Sequence, residues 1–517
     1  MRQVGTIALL SLLLTLLPQR LSAQGSGVVR GDCTPEVTAD LSLTRGLRRN
    51  LPAMNQTWDS TRVYHQMVIL ISFLDVDFQM EDPQAVYDSI FNYRGYNQRQ
   101  GKGCVADYFR DQSDGLFNLS FDVFGPVRVD QVARLDSLAN ENTRNYGGTQ
   151  FRKAASEVIA QHPDIDYTRY DWNGDQKIEQ VIYVYAGLCG NQGKGSYGYI
   201  WPNTNSFATL TTPDGVRISN YTSSGELWKN GASCGIGTIC HEFTHSLGLP
   251  DIYPTSNDGG YSVCDEWDLM DGGNFTNYGW CPPNFTPTEK MLLGWLTPVV
   301  LTEPTSVRDL KPSAEGGEVY QISHSDSECL LLENRQQRGW DLGVPGKGLV
   351  VYHVNYDRSV WQGNKVNFDK DRRRFELVNA DNMDYDAWDT LIGADNSPYV
   401  NKYRMNSAIL STSPYPWTTD STSFVNDELT DTSVPAVRMN YPNAEGSMAL
   451  SKPITNIRMS EDGLISFDFM GGSIPDGVTS LPTPLSSLRQ YFNLQGQQVT
   501  APGRGVFIVD RKKVIIH

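Results

Sequence analysis

The chain reads as α+β, a mixed front part followed by a β-rich back part. Three observations lead there. Up to about residue 298, β-branched apolar runs such as 67–74 and 181–185 alternate with helix-length amphipathic stretches. Beyond Pro298 the helical periodicity fades, and short β-rich runs recur between turn residues. A stretch rich in Pro, Ser, Thr and Gly at 472–486 then marks a linker.

Element by element, Arg2, the apolar run 4–17 and Leu21-Ser22-Ala23 predict a signal peptide over 1–23. That run is short for a membrane span, so an exported soluble protein is expected, secreted or held at the cell surface. Residues 24–63 are polar and read as a linker or pro-segment; Cys33 within it is a candidate thiolate plug for a metal site, or else an ordinary disulfide or free thiol. A strand at 67–74 opens a domain expected to span 64–298. A helix at 104–111, paired strands through Val129, a helix at 151–161, a strand at 181–185 and a helix at 288–293 ending at Gly294 follow. Strands at 319–322, 329–332, 349–354, 375–378, 436–439 and 464–469 predict a β-sandwich-type domain over 299–471.

The chemistry is concentrated in His241-Glu242-Phe243-Thr244-His245-Ser246-Leu247-Gly248-Leu249-Pro250-Asp251. Histidines four apart share one helix face, so both imidazoles reach a single metal ion, while Glu242 is aimed at a water on it. Gly248 permits the sharp turn that brings Asp251 back as a third ligand. Three protein ligands and one open position describe a catalytic rather than a structural zinc. Zinc would bring the pKa of its water down to about 7, and Glu242 would act as general base and then deliver the proton to the leaving amine. Asp258, Asp265, Glu266 and Asp268 compete in sequence for the third-ligand role. Tyr278 is a candidate oxyanion stabiliser. The other five of the seven histidines are isolated.

With Trp267-Asp268-Leu269-Met270-Asp271-Gly272-Gly273 added, the motif resembles the immune inhibitor A family (peptidase family M-six) of secreted metzincin-type zinc peptidases. Tyr108-Phe109-Arg110-Asp111-Gln112-Ser113, Gly294-Trp295-Leu296, Leu332-Glu333-Asn334-Arg335 and the run from Gly346 to His353 are similar to that family too. The resemblance covers roughly 65–380. It implies a metzincin-like zinc peptidase domain, with Met270 in the tight turn beneath the metal, and protein or peptide substrates. Asp251 stands where most metzincins have histidine. The segment 487–517 resembles the C-terminal tails of exported Bacteroidetes proteins, which implies a sorting signal read by export machinery; a small β-hairpin without that role is the alternative.

Asp171, Asn173 and Asp175 place oxygens at alternate positions and Glu179 adds another, a candidate calcium loop. Asn-Gly-Asp is also ordinary turn chemistry. Eight cysteines suit an oxidising compartment, and Cys264 and Cys281 bracket the Met270 loop. A net charge of −16 argues against nucleic acid as a partner. The expectation is a zinc endopeptidase. Its rivals are an exopeptidase with Glu289 as third ligand and an inactive surface-binding protein on the same scaffold.

Overall fold

The computed structural model describes residues 58–98, 101–140, 143–256, 262–383, 390–396, 398–400, 410–419, 424–473, 491–492, 498–499, 505–509 and 512–516. The signal segment 1–23, Cys33, Asp258 and most of the 472–486 linker lie outside them. Residues through Gly472 form one compact unit, and the chain from Ser473 onward forms another.

The front of the first unit is built on β1 (Val63–Ser72), α1 (Pro83–Asn92), α2 (Val105–Gln112), β2 (Asn118–Arg128), α3 (Gly148–Gln161), β3 (Val181–Leu188), β4 (Asn203–Thr211), β5 (Arg217–Leu227), α4 (Gly237–Ser246) and α5 (Pro287–Leu292). Its sheet has the order β2-β1-β3-β5-β4, parallel except for the antiparallel edge strand β4. A parallel strand covered on both faces needs apolar side chains on both, and β1 supplies them. Val68 and Leu70 join the cluster that holds Phe243 of α4, while Met67, Ile69 and Ile71 pack with Phe151 of α3 on the other face. Helix α3 buries Phe151, Ala154, Ala155 and Val158, the stripe that a 3.6-residue period requires.

Two sequence expectations need correction. The paired strands through Val129 are one strand, β2, which runs parallel to β1 rather than folding into a hairpin; Gly125-Pro126 is a cis step the strand passes through. No strand forms at 436–439, where Ala436 makes only an isolated bridge to Thr430 beside the cis Val434-Pro435 bond.

The back of the unit contains β6 (Val299–Val300), β7 (Thr305–Leu310), β8 (Tyr320–Ser323), β9 (Glu328–Arg335), β10 (Gly348–Asn355), a short helix α6 (Arg358–Gln362) and β11 (Phe375–Leu377). Two-stranded pairs follow, β12 (Thr390–Ile392) with β13 (Pro398–Val400) and β14 (Trp417–Thr418) with β15 (Val425–Asn426). Last come β16 (Ile454–Met459) and β17 (Ile465–Phe469). Two sheets result, β11-β10-β9-β8-β6 and β16-β17-β7. Between them lies a core of Val307, Ile322, Leu330, Leu332, Val351 and Phe467. The other face of β9 and β10 supplies Leu331, Val350 and Tyr352 to the same cluster as Phe243 of α4. The hydrophobic interior is therefore continuous across residue 298. In the second unit β18 (Tyr491–Phe492), β19 (Gln498–Val499), β20 (Gly505–Val509) and β21 (Lys512–Ile516) form a sheet of order β19-β18-β20-β21.

Candidate metal centre

Helix α4 is buried along almost its whole length, so its polar residues are held by the fold rather than by solvent. Its start lies against the 3-10 turn Gly273–Gly279. A Cβ on Gly237 would sit 2.1 Å from the Asn274 carbonyl, so only glycine allows this approach. At the other end Gly248, with φ +103°, turns the chain out of the helix, a backbone angle that glycine adopts without strain.

The turn returns Asp251 to the helix. Its Oδ1 lies 3.4 Å from Nε2 of His241 and 3.0 Å from Nε2 of His245. The ligand atoms of these three buried residues fall within 4.8 Å of one another, the one such group of His, Cys, Asp and Glu among the described residues. Asp265, Glu266, Asp268 and Glu289 are not in it. Glu289 instead completes the N-terminal capping box of α5 with Thr286, and Asp268 accepts the Met270 N–H at 2.6 Å.

The protons of the two imidazoles are fixed by their outer neighbours. Nδ1 of His241 lies 2.7 Å from the Leu269 carbonyl and Nδ1 of His245 lies 2.8 Å from the Leu249 carbonyl. A carbonyl only accepts, so each neutral ring carries its proton on Nδ1 and turns the Nε2 lone pair inward. Two lone pairs and a carboxylate oxygen then face one another, an arrangement that demands a positive charge among them. The donor set fits a borderline-soft divalent cation such as zinc, and the carbonyl contacts are the outer support that metal-binding histidines use. Without a cation the same demand acts on His241. Burial lowers its pKa, but the bond to Asp251 and the charges of Glu242 and Asp251 outweigh that, leaving it above the ordinary value.

Met270 is fully buried in the loop that supplies the Leu269 carbonyl, and its own carbonyl accepts the Ile252 N–H at 2.8 Å, tying this loop to the Asp251 turn. Asp271 braces the loop by accepting the N–H groups of Val263, Cys264 and Asp265 through Oδ2. Burial pushes its carboxyl up to about 6, with help from Asp265. Glu242 is nearly buried. The Thr204 hydroxyl lies 2.6 Å from its carbonyl oxygen and 3.1 Å from its Oε2. Thr204 is the second residue of the edge strand β4, directly opposite Thr222 of β5. Sequence reading missed both threonines. It also missed Asn364, whose side chain binds Asp251, because nothing local marks residues that meet only across the fold.

Tyr278 has φ +58°, its carbonyl accepts from the Trp228 indole at 3.4 Å, and its ring packs where the two front cores meet. In the 171–179 loop, Asp171 accepts the N–H groups of Gly174, Asp175 and Gln176, Asn173 accepts that of Asp175, and Glu179 accepts that of Trp172. These oxygens serve the loop's own backbone. Asp171, Asp175 and Glu179 do not gather within the 4.8 Å that unites the histidines and Asp251.

Residues 57–293 match the family model described as "Immune inhibitor A peptidase M6, catalytic domain". Two curated relatives align over much the same length of chain. Pre-pro-metalloprotease PrtV of Vibrio cholerae serotype O1 is 22% identical over 262 residues, covering 46% of this chain and 28% of the relative. Immune inhibitor A of Bacillus thuringiensis subsp. alesti is 26% identical over 268 residues, covering 43% of this chain and 38% of the relative. The aligned region thus spans less than two fifths of either relative. Among the described residues no helix is long and apolar enough to cross a membrane.

Proposed function

We propose that this chain, which carries a catalytic domain of the immune inhibitor A peptidase family across residues 57–293, is a secreted zinc-dependent endopeptidase. One observation carries the reading: two imidazole Nε2 atoms and one carboxylate oxygen converge beside a glutamate on the same helix. His241, His245 and Asp251 would hold the zinc, which when bound supplies a Lewis acid that makes water nucleophilic near neutral pH and polarises a carbonyl.

The chain's own groups do the rest. Glu242 accepts the proton of the attacking water and returns it to the leaving amine. Thr204 holds one carboxylate oxygen, Oε2, while Oε1 accepts no hydrogen bond among the described residues and is available for that exchange. Met270 supports the floor, and Tyr278 is proposed to donate its hydroxyl to the oxyanion. An internal bond of an extended peptide suits the setting. The edge strand β4 begins against the Glu242 segment of α4, and an extended chain added to a sheet edge can continue in both directions. An exopeptidase would need a group to capture a terminus.

In this reading residues 64–298 carry the chemistry and 299–471 support it. The segments 1–23 and 487–517 serve export, and 24–63 is a linker or pro-segment. The test uses matched N-blocked and unblocked peptides with wild-type protein and Glu242→Gln, together with metal analysis. Cleavage of blocked peptides that stops in Glu242→Gln, with zinc retained at one equivalent, is the expected result. Undiminished cleavage by Glu242→Gln, or proteolysis indifferent to chelators, would overturn it; cleavage of unblocked peptides alone would favour the exopeptidase.

A further inference from the structure

Asp251 is held by a residue far outside the matched domain. Asn364 Nδ2 donates to Asp251 Oδ2 at 2.7 Å, and the Asp251 N–H donates to Asn364 Oδ1 at 2.7 Å. This two-way pairing allows only one amide orientation, since an amide oxygen must meet the N–H and the NH2 group must meet the carboxylate. It also divides the work of the carboxylate: Oδ2 is engaged by Asn364, and Oδ1 is turned to the two imidazoles.

The segment bearing Asn364 is itself anchored to the Asp251 turn. Asn364 sits at φ +55°, a left-handed angle that Asn tolerates better than most residues, just after α6. Its carbonyl accepts the Thr255 hydroxyl at 2.7 Å, and Asn367 Nδ2 donates to the Ile252 carbonyl at 2.8 Å. Side chain and backbone therefore grip the loop at residues 251, 252 and 255.

We propose that Asn364 is a positioning residue for the metal centre: it fixes Asp251 as a one-oxygen ligand and organises the site before the cation arrives. The proposal rests on the reading of Asp251 as a ligand. Losing an outer partner of this kind weakens metal binding roughly 10–100-fold, and here the loss should come with a change in how the carboxylate binds.

Two variants of the full chain isolate the effect. Asn364→Gly keeps the left-handed backbone and removes only the side chain. Asn364→Asp keeps the shape but sets a second carboxylate against Asp251 Oδ2. Zinc affinity is measured by competition with a chromophoric chelator, and coordination by the visible spectrum of the cobalt-substituted protein. We expect zinc binding to weaken at least tenfold in Asn364→Gly and more in Asn364→Asp, with unchanged circular dichroism. The Asn364→Gly cobalt spectrum should lose intensity as Oδ2 joins the coordination shell. Asn364→Gly alone decides the matter should Asn364→Asp not fold. Asp251→Ala separates the two claims. If it binds zinc like wild type, the ligand reading itself fails. If it loses zinc while Asn364→Gly stays within threefold of wild type with an unaltered cobalt spectrum, only the role of Asn364 is refuted.

Discussion

The buried histidine of β10 makes a stability prediction whose sign and size follow from its surroundings. His353 Nε2 lies 2.7 Å from Glu328 Oε1, and its Nδ1 lies 3.2 Å from Glu376 Oε1. Burial lowers its pKa, but the bonds to Glu328 and then Glu376 outweigh that and push it up to about 9. A histidine pKa raised above its unfolded value of 6.5 adds stability fully present below pH 6.5 and lost as pH rises through about 9. At 1.36 kcal/mol per pH unit the lost contribution is about 3 kcal/mol. Glu328 bounds the window on the acid side. Burial raises its pKa, yet the bonds from His353 and the Asn440 N–H leave it below the usual value, so its share is lost as pH falls through that value. The perturbation is His353→Gln, which fits the space without the charge. Urea midpoints of both proteins are compared from pH 6 to 10, so that other titrating groups cancel. The wild-type advantage should be steady below pH 6.5 and shrink by about 3 kcal/mol by pH 10. Carbon-13 histidine resonances give the titration midpoint independently. An advantage that is flat or grows with pH, or a midpoint below 7, would refute the reasoning.

Three other expectations are open to direct test. Tyr278→Phe should lower kcat by about 100-fold or more with little change in KM if the hydroxyl meets the oxyanion; an unchanged kcat removes it from the mechanism. For the 171–179 loop, burial chiefly, with Asp171 and Asp175 adding, pushes Glu179 up to about 7, so its carboxylate burdens the fold increasingly as pH rises from 4.5 through 7. Because Asp171, Asn173 and Glu179 are spent on the loop's own N–H groups, calcium at pH 7.5 should leave the Tm of wild type and of Asp171→Ala equally unmoved, and a rise in wild type that Asp171→Ala lacks would refute this and assign the ion to the loop. Cys189 and Cys234, with sulfurs 3.4 Å apart, should give two electrons and two protons to a disulfide oxidant such as oxidised glutathione and form a bridge. A non-reduced digest should link these two peptides; linked Cys264 and Cys281 peptides with free Cys189 would refute it. The Cys281 thiol is instead directed at the Trp340 carbonyl.

What could be read in the sequence was what the chain settles within a turn or two. The spacing of His241 and His245 fixes a shared helix face, and Gly248 fixes where the helix must turn. Apolar β1, β3 and β10 stand out by composition alone. The strands 203–211 and 217–227 did not, because β5 buries Thr222, Ser223 and Ser224, and hydroxyl side chains carry no hydrophobic period. Helix α1 has a readable start, Asp82 capping Ala85 N with Pro83 in the first turn, but it buries only Tyr87, Ile90 and Phe91, too few apolar positions to show a helical period. The paired strands expected through Val129 are a single strand, β2, because its partner β1 lies some fifty residues earlier and the pairing register on it runs from Asn118 to Arg128. Glu242's partner Thr204 and Asp251's partner Asn364 depend on contacts between residues 38 and 113 positions apart, respectively.

Those distant contacts also explain why the back of the unit matters to the front. Arg335 of β9 is fully buried, paired with Asp341 and with Glu333 at 3.1 Å. Its Nη1 also donates to the Trp267 carbonyl at 3.3 Å, in the segment leading to Met270. A buried guanidinium is tolerable only while its partners are in place, and removing one leaves a penalty of about 3–5 kcal/mol. The Met270 segment, β9 and the 339–343 turn are thus bound into one arrangement. Leu331, Val350, Tyr352 and Trp361 press on the same cluster as Phe243, between the two histidines. Asn364 adds the last constraint, reaching from beyond α6 to the carboxylate itself. A site whose two imidazoles share one helix and whose carboxylate lies on a turn needs that turn held to within fractions of an ångström. Here the holding groups come from residues 335–367, well past the end of the segment that carries the motif.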